Sequence, residues 1–146
     1  MFADKFIGTG FASCAVCPDP AEECGISAAD GYEVSGTNFP KGFSLVRVRA
    51  NRGKTLFYLL VQGGSACGSI QILAPAPEGK AHTGIFLSEE FRGQGLGAQF
   101  VAEAFWDAFW GNNEAEFEFA PAHAYTDAGL ACCKKAAVIL EKWGAE

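Results

Sequence analysis

No run in this sequence approaches the ~18 uninterrupted apolar residues that a membrane-crossing helix requires. The opening Met1-Phe2-Ala3-Asp4-Lys5 also lacks the apolar core of a secretory leader. Basic residues are scarce, with 11 Lys and Arg against 17 Asp and Glu, a formal charge of −6, and no concentration of cations beyond Arg47, Arg49 and Arg52. Affinity for nucleic acid comes mainly from neutralised phosphates, so this balance argues against a DNA or RNA surface, while a cationic acceptor such as an amine is tolerated. The expectation is a soluble, cytoplasmic protein with neither a membrane nor a nucleic acid as partner.

The six cysteines carry no metal signature either. Cys14-x-x-Cys17, with Cys24 nearby, has no second pair at the spacing of a four-ligand zinc site, so no metal is expected. Cys132 and Cys133 are adjacent on an expected helix, and the chain is rich enough in core-forming residues to do without disulfides, so the cysteines read as thiols in a reducing compartment. No internal repeat and no second domain are visible. What is present is core: 146 residues, 49% of them hydrophobic and 13 of them Phe, the composition of one globular domain spanning 1–146.

Residues 1–40 show no sustained period. From Phe43 to Ala50 the alternation Val46-Arg47-Val48-Arg49 predicts a strand with one wet face. Thr55 to Val61 is apolar without alternation and predicts a strand covered on both faces. Gln62-Gly63-Gly64-Ser65 turns the chain into a further strand, Cys67 to Leu73, completing a hairpin. Ala81 to Ser88 predicts a fourth strand, and Glu116-Phe117-Glu118-Phe119 a fifth. Between them, Phe100, Val101, Ala104, Phe105, Ala108 and Phe109 form the apolar stripe of a helix from about Leu96 to Trp110, with Gln99, Glu103 and Asp107 on the other side. A last helix, with Thr126 as N-cap and Gly144 as its stop, buries Leu130, Cys133, Ala137 and Leu140. The fold class is α/β in the α+β sense, a mostly antiparallel mixed sheet flanked by helices.

The chemistry concentrates where the fourth strand meets the first long helix, at Arg92-Gly93-Gln94-Gly95-Leu96-Gly97. Glycines there let backbone approach a ligand without Cβ interference, and the first amides of the helix point outward with the positive end of its dipole behind them. Such a turn suits an anion, and Arg92 adds a charge able to grip a phosphate through paired hydrogen bonds. Glycine-rich turns also open dinucleotide folds, but those place the turn after their first strand, and here four strands come first. A Walker lysine is missing as well, which disfavours ATP and NAD.

The segment Ile85-Phe86-Leu87-Ser88-Glu89-Glu90-Phe91-Arg92-Gly93-Gln94-Gly95-Leu96-Gly97-Ala98 resembles motif A of the GNAT superfamily of N-acetyltransferases, with Glu89 where the family often has Pro. Ala136, Lys142 and Gly144 are similar to the family's C-terminal pattern Ala-x-x-x-Tyr-x-Lys-x-Gly-Phe. The resemblance spans roughly residues 55–146 and implies an acyl-CoA N-acyltransferase fold, with acetyl-CoA as co-substrate and an amine, small or peptide, as acceptor. It further implies that Phe86 and Leu87 contact the pantetheine arm in a slot between the fourth and fifth strands, and that the amides of Gly93, Gln94, Gly95, Leu96, Gly97 and Ala98 hold the pyrophosphate. A backbone amide near Leu87 would face the developing oxyanion. Deprotonating the amine calls for a carboxylate or His, and Glu118, Glu89 and His82 are the candidates for that catalytic role.

The chain also departs from the family. Leu140 stands where the family places its proton-donating Tyr, and Cys133 replaces the Asn usual at that cofactor-binding position. A four-residue turn from Ala50 to Thr55 replaces the two helices that usually shape the acceptor site, and the last two strands are lacking. An open edge on the fifth strand would then call for a second copy in a homo-oligomer, a partner chain or the first 40 residues to cover it. These departures leave a second reading beside the enzyme: a catalytically inactive GNAT-like domain serving as a binding or structural subunit of a larger assembly.

Overall fold

The computed structural model describes residues 12–13, 19–50, 55–73, 83–108, 124–125 and 127–144. Its elements, in chain order, are β1 (Ala12–Ser13), α1 (Pro20–Glu23), a 3-10 turn (Ala28–Asp30), β2 (Tyr32–Val34), β3 (Phe43–Ala50), β4 (Thr55–Gln62), β5 (Ser65–Leu73), β6 (Thr83–Leu87), a second 3-10 turn (Glu89–Phe91), α2 (Leu96–Trp106), β7 (Ala124–Tyr125) and α3 (Asp127–Lys142). Strands β2 to β6 form one sheet in sequence order, each antiparallel to the next. β1 and β7 make a short parallel pair of their own. This is a mixed α+β architecture, and among the described residues no helix is long and apolar enough to cross a membrane.

β4 is the centre of the sheet, and every residue from Thr55 to Val61 is buried, as its unbroken apolar run predicts. Successive side chains of a strand point to opposite faces, so this strand feeds two cores at once. Leu56, Tyr58 and Leu60 join Leu45, Ile70 and Ile72 beneath α2 and α3. Phe57, Leu59 and Val61 join Val46 and Val48 on the other face, where Ala21, Ile26 and Ala28 of the N-terminal segment lie over them. The hairpin from β4 to β5 turns at Gly63 and Gly64, both with positive φ, and a register shift between Leu60 and Val61 lets Gly68 oppose Leu60. Along α2 and just past its end, Phe100, Val101, Ala104, Phe105 and Ala108 of the expected stripe are buried, while Phe109 lies outside the described residues; on α3, Cys133, Ala137 and Leu140 are buried and Leu130 is half-buried.

One expectation needs correction. The Val46-Arg47-Val48-Arg49 strand has no simple wet face: its valines pack under the N-terminal segment, and Arg47 lies under α2, where its guanidinium meets the Asp107 carboxylate at 2.7 Å. Glu103 and Asp107, on the side of α2 away from its apolar stripe, are themselves only 7% and 6% exposed. The reason is that α2 is covered on more than its apolar stripe, with Asn38 of a distant loop bonding Glu103, and Arg47 and Tyr58 of the sheet bonding Asp107. The expected fifth strand at 116–119, the helix N-cap Thr126 and the Cys14-x-x-Cys17 pair lie outside the described residues.

The N-terminal segment is tied down by a cap that also serves the sheet. Asp19 accepts hydrogen bonds from the amides of Ala21 and Glu22 at 3.1 and 3.3 Å, with Pro20 in the first helical position. The same carboxylate accepts from the Ser69 hydroxyl of β5 at 2.6 Å, so the cap spans 50 residues of sequence. Further on, Gly31 runs so close over β3 that a Cβ would collide with the Arg47 carbonyl and come within 2.6 Å of Val48 Cγ2.

The Tyr58 hydroxyl, donating to Asp107 at 2.6 Å, is held far above its ordinary pKa, first by burial and then by the charge of Asp107. The folded chain therefore keeps a proton that the unfolded chain releases near pH ~10, so stability is lost as pH rises beyond that value. Urea unfolding is expected to show Asp107→Ala destabilised by about 3 kcal/mol, because Arg47 is left without its counter-charge. Tyr58→Phe should cost about 1 kcal/mol at neutral pH and flatten the alkaline loss. An Asp107→Ala protein as stable as the parent would show that this tie carries no weight.

Candidate functional site

β6 is the outermost strand of the five-stranded sheet. The Ser88 amide bonds the Cys67 carbonyl at 2.8 Å, and Leu87 stands opposite Gly68 in the next position of the register. Because antiparallel neighbours alternate between hydrogen-bonded and non-bonded pairs, Leu87 and Ile85 turn their N–H and C=O groups away from β5, toward the outer edge. Gly68 allows this close assembly: a Cβ there would sit 3.0 Å from the Phe100 ring and 3.0 Å from the Phe86 carbonyl.

The chain then leaves the sheet through the 3-10 turn, closed by Phe91 N–H to Ser88 C=O at 2.9 Å and Arg92 N–H to Glu89 C=O at 3.1 Å. The Phe91 ring stands edge-on to Phe43, with centroids 5.9 Å apart, which fixes the turn against β3. Gly93 and Gly95 both have φ of 77°, a backbone region that L side chains seldom adopt, and open space surrounds each α-carbon where a side chain would project. Gly95 is the N-cap of α2 and has no side chain to cap it. The first helical amide to find a partner is that of Gln99, on the Gly95 carbonyl at 3.4 Å. Among the described residues, the amides of Gly93, Gln94, Gly95, Leu96, Gly97 and Ala98 have no hydrogen-bond partner.

The described side chains frame these amides without bonding to them. Arg92 donates from Nε to the Leu87 carbonyl at 2.7 Å and lies over the Phe86 ring at 5.9 Å, leaving its terminal nitrogens at an exposed position. Gln94 folds back onto the Glu90 carbonyl at 3.0 Å. Leu96 and Ala98 point inward, at 5% and 6% exposure. Gly97 lets the first turn of α2 close on α3 and β6, since a Cβ there would lie 3.0 Å from Cys132 Sγ and 3.3 Å from Leu87 Cδ2.

The cofactor-site residues expected from Phe86 to Ala98 thus share one sheet edge and one turn. Cys133 is fully buried in the core of α2, α3 and the sheet, one residue from the thiol that underlies Gly97. Glu89 is exposed on the 3-10 turn next to the amides, whereas Glu118 and His82 lie outside the described residues. Leu140 is completely buried in the same core as Cys133. Among the described residues, no three His, Cys, Asp or Glu side chains gather as metal ligands.

A second feature lies at the opposite edge of the sheet. A cavity of about 540 Å³ opens between β2, residues 35–38, and the C-terminal ends of α2 and α3. Glu103 and Asp107 line it, with Arg47, Trp106 and Trp143. Burial pushes the Glu103 carboxyl above its ordinary range, only partly offset by hydrogen bonds from Asn38 and Gln99. Sequence reading misses this group because helical periodicity places Glu103 on a polar side, and nothing local announces that Asn38 will cover it.

No protein-family model, curated protein or solved structure matches the chain.

Cys132 packs beneath Gly97, and burial pushes its thiol up to about 11, with Lys135 offsetting only part of the shift. With iodoacetamide at pH 8, peptide mass mapping should find exposed Cys24 alkylated well before Cys132. Labelling of Cys132 should accelerate as pH climbs toward about 11. Equal rates at pH 8 would contradict the sheltered placement of that thiol.

Proposed function

We propose that this chain is an acetyl-CoA-dependent N-acetyltransferase of the GNAT type, transferring an acetyl group to an amine acceptor. The observation that carries this reading is the row of amides from Gly93 to Ala98, unpartnered among the described residues, opened by two left-handed glycines and backed by the N-terminus of an 11-residue helix. A diphosphate is the anion whose several oxygens such a row can satisfy at once. The terminal guanidinium nitrogens of Arg92 are placed to add charge-assisted bonds at its flank.

The outer edge of β6 supports the rest of the reading. The outward N–H and C=O of Ile85 and the outward N–H of Leu87 offer an extended pantetheine arm the pairing of a sixth strand. With the arm so placed, the Leu87 amide is the donor for the thioester oxyanion, since the Leu87 carbonyl is already taken by Arg92. The amine nitrogen attacks the thioester carbon, the C–S bond breaks, and the proton released by nitrogen passes to a base or to water. Glu89 is the base candidate closest to the turn in sequence, with Glu118 and His82 beyond it. A thiolate of pKa about 8.5 leaves without a general acid, at a cost of about 10²–10⁴ in rate relative to an enzyme that has one.

One observation favours the alternative, a catalytically inactive acyl-CoA-binding subunit. Leu140, at the position where the resemblance would put a proton-donating Tyr, is sealed in the core, and no side chain there can protonate a leaving group. Calorimetry with acetyl-CoA, followed by a thiol-release assay over a panel of amines, separates the two. Binding with turnover is the result expected of the enzyme, binding without turnover favours the subunit, and absence of binding contradicts both.

Gly95→Glu sharpens the test. A side chain at this φ costs about 1–2 kcal/mol, so the protein should remain folded by circular dichroism. A carboxylate among the amides should weaken acetyl-CoA binding at least tenfold. Unchanged affinity would remove the turn from the site.

A further inference from the structure

We propose that the cavity between β2, residues 35–38 and the C-terminal ends of α2 and α3 is a second ligand site, one that takes a small organic ammonium carrying an aromatic or apolar group. Its volume of about 540 Å³ falls within the range of ~300–1,000 Å³ in which small-molecule sites occur.

Charge selects the ligand class. The lining contributes the carboxylates of Glu33, Glu103 and Asp107 but a single cation, Arg47, which is already engaged with Asp107 at 2.7 Å. Asp107 also accepts from Tyr58, so its demand is met within the fold. Glu103 is different. It is 93% buried, and its hydrogen bonds from the Asn38 amide, Asn38 Nδ2 and Gln99 Nε2 all end on Oε1. Among the described residues, Oε2 has no partner, and no lining cation stands against it. No described side-chain oxygen or nitrogen that is sealed from solvent lacks a partner, so Oε2 must have an opening, and the cavity that Glu103 lines supplies it. A largely buried carboxylate with one oxygen facing an open, net negative cavity suits a hydrogen-bond donor with positive charge.

The wall specifies the rest of the ligand. Trp106 and Trp143 meet edge to face, with centroids 5.8 Å apart and planes at 82°, and both line the cavity. Indole faces attract cations and accept flat apolar groups, so they suit the body of an ammonium whose nitrogen reaches Glu103. A carboxylate or phosphate ligand is disfavoured by the same charges.

This site is separate from the acyl-transfer edge. β2 and β6 are the two ends of a five-stranded sheet, and four spacings of ~4.8 Å set them about 19 Å apart. The inference therefore goes beyond the proposed transferase and does not depend on it.

The test uses the full chain without acetyl-CoA and three probes of one shape: benzylammonium, benzyl alcohol and benzoate. Two-dimensional NMR should show saturable shifts of the Trp106 and Trp143 indole N–H signals with benzylammonium, while the Gly93–Ala98 amides stay in place. Benzyl alcohol should bind at least tenfold more weakly, and benzoate weaker still. Glu103→Gln, which keeps the acceptor for Asn38 and Gln99, should lower benzylammonium affinity at least tenfold, and Gly95→Glu should leave it unchanged. Absence of a saturable shift, equal binding of the alcohol, or full affinity in folded Glu103→Gln would overturn the proposal. If Glu103→Gln does not fold, the comparison of the three probes on the parent chain decides alone. Binding that appears only after acetyl-CoA is added would also overturn it, because the ligand would then belong to the transfer site.

Discussion

The placement of α2 rests on one buried cluster, in which Asp107 takes a hydrogen bond from Tyr58 of β4 and an ion pair from Arg47 of β3. A carboxylate just past the C-terminal end of a helix faces the negative end of its dipole, an unfavourable position by itself. The Arg47 guanidinium, half-buried between sheet and helix, reverses that balance. A buried ion pair gains little over an apolar substitute, but breaking it is costly, so its main effect is to define one position of the helix on the sheet. With that end fixed and Phe91 packed on Phe43 at the other, the mouth of α2 is held beside the edge of β6.

Fixing the helix is what allows its first turn to go unsatisfied. Six consecutive amides without partners among the described residues forgo stabilisation, and Gly93 and Gly95 add conformational entropy lost on folding. An ordinary helix would put Ser, Thr, Asp or Asn at its N-cap and recover about 1 kcal/mol. Here Gly95 leaves the cap bare, and the side chains of Arg92 and Gln94 bond to carbonyls instead of to the amides. Glu103, toward the far end of the same helix, is a second such concession: a largely buried carboxylate with one oxygen that no described residue matches.

Much of the sheet is legible in the sequence because its signals are local. The unbroken apolar run of β4 reports burial on both faces, and Gly63-Gly64 reports the hairpin. The turn from Arg92 to Ala98 is legible for the same reason, since strand, glycines and helix are contiguous. What escapes is long-range. Arg47 reads as solvated until α2, 60 residues away, brings Asp107 over it. Glu103 reads only as lying opposite the apolar stripe, and nothing local announces that Asn38, 65 residues upstream, bonds to it. The N-terminal segment has no period because its order comes from Asp19 on Ser69 and from apolar contacts with the back of the sheet, neither of which repeats along the chain.

The proposed acyl transfer depends on the amides of one turn being a seat for a diphosphate. Titrating the ¹⁵N-labelled chain with inorganic pyrophosphate, and then with coenzyme A, observes those amides directly. The expected result is a saturable downfield displacement of the Gly93–Ala98 amide protons with both ligands, joined by Ile85 and Leu87 only with coenzyme A. Displacements confined to other regions, or none at all, would contradict it.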